Sequence, residues 1–83
     1  MRIKVSLDRL RNAVAREFGI EVLLDTEADV VKAVEMLLRK YHFEDATVQE
    51  ASIDRVLGEE AIVAVEGERF VEAIAQLQRL MRG

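Results

Sequence analysis

The chain of 83 residues has no cysteine, no proline and no tryptophan, and only one histidine, one tyrosine and three phenylalanines. Without cysteine there are no disulfides and no thiolate metal clusters, and the redox compartment stays open. A single histidine makes a dedicated transition-metal site an unfavourable expectation. Glycine is scarce, at four residues, and none falls where the first predicted strand meets its helix, so there is no phosphate-cradling loop. No dinucleotide fingerprint, haem attachment or zinc cluster is present, and no cofactor is expected. Long apolar runs are missing too. The longest, Ala61–Val65, has five residues, where a membrane-spanning helix needs about 20. Met1-Arg2-Ile3-Lys4-Val5 passes into the charged stretch Leu7 to Arg16 without the apolar core of a secretory signal. A cytoplasmic location with no membrane contact is therefore the default expectation.

What is present is charge. Acids outnumber bases to a net −4, and arginine outnumbers lysine nine to three. A charge-rich, amide-poor composition is compatible with a thermophilic source, with a GC-rich genome, or with a designed chain that has no natural function. The length suits one domain, residues 1–83. A chain this short buries a modest fraction of its surface, and small domains commonly add disulfides, metals or oligomerisation. Oligomerisation is the supplement still open to this one.

Periodicity supplies the elements. Arg2 to Ser6 alternates, with Ile3 and Val5 on one face, as a half-buried strand does. Leu7 to Phe18 takes helical spacing through Leu7, Leu10, Val14 and Phe18, capped by Ser6 and ended by Gly19. Ile20 to Leu24 reads as a second strand. Asp25-Thr26 opens the clearest helix, Glu27 to Tyr41, with acids in its first turn and Arg39 and Lys40 in its last. Ala46 to Ile53 reads as an edge or bulged strand, because Glu50 and Ser52 interrupt its alternation. A turn over Leu57–Glu60, the most buried strand over Ala61–Val65 and a last helix over Glu68–Met81 complete the chain. The expectation is a mixed α/β domain of about four strands and three helices in the order βαβαββα, its first connection a right-handed crossover between parallel strands. The thioredoxin-like fold shares that order. Here no Cys-x-x-Cys follows the first strand and no proline precedes the third, so the shared order carries no activity.

Four features bear on function. First, Ala61–Val65 offers apolar side chains to both sheet faces and Leu23 breaks the alternation of its segment, so Leu23 and Ile62 face water unless helices or a partner cover them. Second, charge is segregated. Residues 1 to 16 carry Arg2, Lys4, Arg9, Arg11 and Arg16 against Asp8 alone, net +4, whereas residues 17 to 35 carry six acids against Lys32, net −5. Lys4, Arg9, Arg11 and Arg16 are candidate phosphate contacts for a nucleic acid. A solvated helix face explains the same residues more simply, and the segregation also suits association between identical chains.

Third, His42 stands beside Glu44 and Asp45 and is the one candidate acid–base group. A hydrolase built on Ser6 or Ser52 with His42 has no Gly-x-Ser-x-Gly elbow to support it, and a histidine at a helix end ordinarily serves the helix terminus. Fourth, Asp25-Thr26-Glu27-Ala28-Asp29 offers carboxylates for magnesium, although capping accounts for the same residues. The leading expectation is a non-enzymatic interaction or assembly module. It should self-associate or bind a protein partner through Leu23 and Ile62. A small nucleic-acid-binding protein and a small enzyme using His42 are the alternatives.

Overall fold

Ser6 closes β1 (Arg2–Ser6) and also caps α1 (Leu7–Phe18), its Oγ accepting from the Arg9 amide at 3.3 Å. α1 ends as the sequence predicts. Gly19 adopts φ 68° and its N–H donates to the Ala15 carbonyl. α2 (Glu27–Lys40) opens on a full capping box, in which Asp29 N–H donates to Thr26 Oγ1 and the Asp29 carboxylate accepts from Thr26 N–H. β2 (Thr47–Asp54) and β3 (Glu60–Glu66) follow, and α3 (Phe70–Arg82) completes the fold. Gly67 precedes α3 for a steric reason: at φ 136°, a Cβ there would lie 2.7 Å from the Asp45 carbonyl oxygen. The computed structural model describes residues 1–56 and 58–82. Of the turn expected over 57–60, Leu57 lies outside the described residues, while Gly58 and Glu59 both adopt positive φ.

The class is α/β, but the sheet has three strands, in the order β1-β3-β2, and every pairing is antiparallel. Two expectations are therefore corrected. Ile20–Leu24 is not a strand of the sheet, and among the described residues no parallel crossover exists, so the likeness in order to the thioredoxin-like fold disappears.

The geometry of the helices explains the error. Lys40, at the end of α2, reaches Glu17 near the end of α1, with Nζ 2.6 Å from the Glu17 carbonyl oxygen. The two helices thus finish side by side, and the chain between them must return along their length. Twelve residues of α1 span about 18 Å. The six residues after Gly19 reach about 20 Å only when nearly extended. This segment, called the strap below, keeps the direction expected of a crossover strand but occupies another layer. It lies against α1 and α2 on the helical side, where Leu24 enters the core.

The core sits on one face of the sheet. Val5, Val48, Ala61, Val63 and Val65 point inward to Leu10, Val14, Val34, Leu37 and Leu77 of the three helices. A one-residue irregularity between Val48 and Glu50 lets β2 keep Val48 and Ala51 on that face. This is the bulged edge strand that its broken alternation predicts.

Candidate functional site

The strap presents a large apolar side chain that is mostly exposed. Val22 and Leu24 turn inward, while Leu23 is 78% exposed and Ile20 45%. Leu23 stands as a ridge between two depressions. One is lined by Arg11, Asn12 and Ala15 of α1 with Glu21 and Val22; the other by Asp29, Lys32, Ala33 and Met36 of α2 with Ile20 and Val22. The charged rim of the ridge comprises Arg11 and Lys32 against Glu21 and Asp29, so it is electrically balanced within a chain of net −4.

Both ends of the strap are fastened. At its start, Gly19 N–H donates to the Ala15 carbonyl at 2.9 Å. At its finish, Asp25 N–H donates to Asp29 Oδ2 at 3.1 Å, and Arg55 Nη2 donates to the Leu24 carbonyl at 2.8 Å. Those amide donors, Thr26 first, hold the Asp29 carboxyl below the usual carboxylate range. A cation would have to compete with them for the same carboxylate, so Asp25–Asp29 serve the helix start.

Ile62 lies elsewhere. It sits on the sheet face opposite the helices, 43% exposed, in register between Lys4 and Ser52. Next to it, Ala64 is in register between Arg2 and Glu50, and those two meet across it at 2.6 Å. The Arg2–Glu50 pair thus covers Ala64, while Ile62 beside it stays exposed. The face is otherwise polar, with Glu60 and Asp54 in its last row. The structure does not bring Leu23 and Ile62 together.

The basic residues are divided in the same way. Lys4 and Arg9 line one depression, beside Ser6, Glu60 and Gln78. Arg11 is paired with Asp8 and lies 3.9 Å from Glu59, and Arg16 donates to the Leu80 carbonyl. Two of the four candidate phosphate contacts are therefore engaged within the fold. His42 is an exposed helix terminator at φ 67°, its side chain 88% exposed and its Nδ1 3.9 Å from Glu44. Its carbonyl accepts from Arg69. Ser6 caps α1 and Ser52 faces outward on β2, and neither shares a depression with His42 among the described residues. No group of three or more His, Asp or Glu among the described residues converges as a metal site requires. No helix among them is long and apolar enough to cross a membrane.

Sequence reasoning missed two anchors. Arg55 fastens the strap from a position between the third predicted strand and the turn after it, where the sequence analysis assigns no role. Glu17 joins the ends of α1 and α2: it accepts from Tyr41 Oη and pairs with Lys40 at 3.1 Å. The Tyr41 hydrogen bond, then Lys40, lowers the Glu17 pKa, and Glu17 in turn raises that of Tyr41. Each partner is distant in sequence, so no local spacing reveals the pairing. Comparison with family models, with curated proteins and with solved structures finds no match to this chain.

Proposed function

We infer that this chain is a self-associating interaction module whose contact surface is the strap and the two depressions beside it. The carrying observation is Leu23, 78% exposed on a segment held at both ends, with hollows on either side. A ridge beside a hollow on one surface is self-complementary. A two-fold axis passing beside Leu23 would seat each Leu23 in a hollow of the other copy. The balanced rim favours this reading, because two copies then meet without like-charge repulsion at the centre of the contact. Other exposed apolar residues, Val56 and Val71 among them, are ordinary surface exposures that need no partner.

Magnitudes set the expected strength. Burying Leu23 on both copies contributes on the order of 3–6 kcal/mol. A micromolar dimer needs about 8 kcal/mol net of the cost of association. Ile20, Val22 and Met36 must supply the rest, so the contact is weak and requires concentrated protein to observe.

Dilution of ¹⁵N-labelled protein from about 1 mM to about 10 µM, bracketing such affinities, tests the reading. Amide shifts should move at Ile20–Leu24, Asn12, Ala15, Ala33 and Met36, and stay fixed at Ile62 and Ser52. Shifts confined to the sheet face, or none at all, would contradict it. The nucleic-acid alternative draws its support from Lys4 and Arg9 alone, because Arg11 and Arg16 are engaged within the fold. The enzyme alternative has an imidazole without walls around it.

A further inference from the structure

We propose that the outer edge of β1 is a docking site for a foreign extended peptide segment that carries acidic side chains and adds to the sheet as a fourth strand. This surface is separate from the strap and stands whether or not the chain self-associates. Three observations carry it: an open edge, room beside it, and unpaired positive charge.

β1 lies at one side of the sheet, in the order β1-β3-β2, and its register with β3 runs unbroken from Arg2–Ala64 to Ser6–Glu60. Beyond both ends the ladder continues through odd-numbered residues of the β1 side. Val65 N–H donates to the Met1 carbonyl at 2.8 Å, and Leu7 N–H donates to the Glu59 carbonyl at 3.0 Å. Bonded positions alternate in an antiparallel pair, so Ile3 and Val5 bond to β3. The N–H groups of Arg2, Lys4 and Ser6 then point outward, with the carbonyls of Arg2 and Lys4. Among the described residues, no turn, loop or side-chain bond takes these groups. A row of open donors and acceptors on a formed strand is a template for strand addition.

A hollow lies on that side. It is lined by three consecutive residues of β1, Lys4, Val5 and Ser6, with Arg9 of α1 and Met81 of α3. Lys4 is exposed on the open sheet face, whereas Val5 is buried against the helices. A hollow that touches both reaches β1 from its side, and β3 fills the other side. Strands pair about 4.8 Å apart, so this is the place a fourth strand takes. β1 already has strand form, so pairing leaves its backbone entropy nearly unchanged.

Charge selects the occupant. Lys4 and Arg9 line the hollow against one acid, Glu60, in a chain of net −4. Among the described residues neither cation enters an ion pair, while their neighbours Arg2 and Arg11 are held by Glu50 and Asp8. An acidic side chain opposite Lys4 on the added strand meets an opposite charge across the pair, which favours pairing.

The same charges argue against a second copy of β1. Antiparallel pairing about Lys4 sets Lys4 against Lys4, and pairing about Ile3 sets Arg2 against Lys4. Pairing about Val5 sets Ile3 against Leu7, where β1 has already become α1. A nucleic acid fits less well than a peptide, because phosphates offer acceptors for the outward N–H groups but no donors for the Arg2 and Lys4 carbonyls. A polypeptide strand supplies both in the right alternation.

The probe is a terminally blocked peptide of about seven residues, an ordinary strand length, alternating glutamate and valine. It is titrated to about 1 mM, enough to fill a weak site, into the ¹⁵N-labelled full chain carrying Leu23→Asp, which removes the strap contact from the measurement. Amide exchange at Arg2, Lys4 and Ser6 should slow about tenfold at nine-tenths occupancy, while Ile3 and Val5, already bonded to β3, stay as they were. Methylating one alternate set of peptide amide nitrogens should abolish binding, and methylating the other set should leave it. Lys4→Glu with Arg9→Glu, both exposed positions, should weaken binding by about tenfold or more and transfer the preference to a lysine–valine peptide. No binding at 1 mM, or binding that leaves the three amides exchanging freely, would overturn the proposal. Equal binding of the lysine–valine peptide by the unaltered edge would overturn the acidic partner. So would preference for a short single-stranded oligonucleotide, or protection of the three amides that grows with protein concentration and needs no peptide.

Discussion

Glu17 shows how a single side chain can carry tertiary information that its sequence position conceals. It belongs to α1, yet its carboxylate holds Tyr41 and Lys40 at the end of α2. Its pKa is lowered in the fold, so its contribution is present above the ordinary carboxylate range and is lost as pH falls through the folded value. Tyr41 behaves oppositely. Its pKa is raised, so its contribution is complete below about pH 10, the ordinary phenol value, and is lost as pH rises through the folded value. One variant, Glu17→Gln, should therefore flatten both limbs of the stability profile. Urea midpoints measured from acid to alkaline pH would show less decline than wild type at each extreme. Parallel curves offset by a constant would mean that the pairing has no titration linkage.

The elements follow local signals where those signals are complete. Thr26 and Asp29 sit three apart before an apolar stripe, and the capping box forms as that spacing predicts. Thr26→Ala should cost about 1 kcal/mol, and the Asp29 carboxyl should move back towards its ordinary range as one of its stabilising groups is lost. Thermal melting and NMR titration of Asp29 would check the two effects. An unchanged melting temperature would show that the fold around the cap sustains the helix start without the hydroxyl.

α1, bounded by Ser6 and Gly19, was equally legible, and so was the bulge in β2, because Glu50 falls out of step with Val48. The strap was legible as an extended, apolar segment but not as one outside the sheet. Layer is a tertiary property: the same alternation of Val22 and Leu24 buries side chains in a groove between helices as well as it would in a sheet. β1 and β3 pair for a reason just as remote in sequence, since Arg2 meets Ala64 and Ser6 meets Glu60 across more than fifty residues.

On the scale of the whole molecule, three helices cover one sheet face, and the other is left open apart from Ala64. The radius of gyration, 11.5 Å, is close to the value of about 12 Å for a compact chain of this length. Ala64, 8% exposed, is the exception: the Arg2–Glu50 pair closes over a small side chain that would otherwise meet water. The sequence offered only two solutions for the second face, helices or a partner, because the pairing of residues 2 and 50 depends on a strand order that periodicity does not encode. Ile62 and Leu23 stand on different faces of the fold, and the proposed contact is built on Leu23, where the hollows lie. Leu23 was visible in the sequence as a residue that breaks its segment's alternation; the hollows beside it and the part played by Arg55 were not, because each requires α1, α2 and the end of β2 to be brought together.

Sedimentation velocity of wild type and Leu23→Asp, run side by side from about 10 µM to about 1 mM to bracket a weak dimer, tests the central claim most directly. The account predicts a weight-average mass that rises towards twice 9.4 kDa with concentration in wild type and stays at the monomer in the variant. Both proteins should melt alike, because exposed substitutions of this kind change stability by roughly 0.5 kcal/mol or less. A wild type that remains monomeric throughout, or a variant that associates equally well, would contradict it.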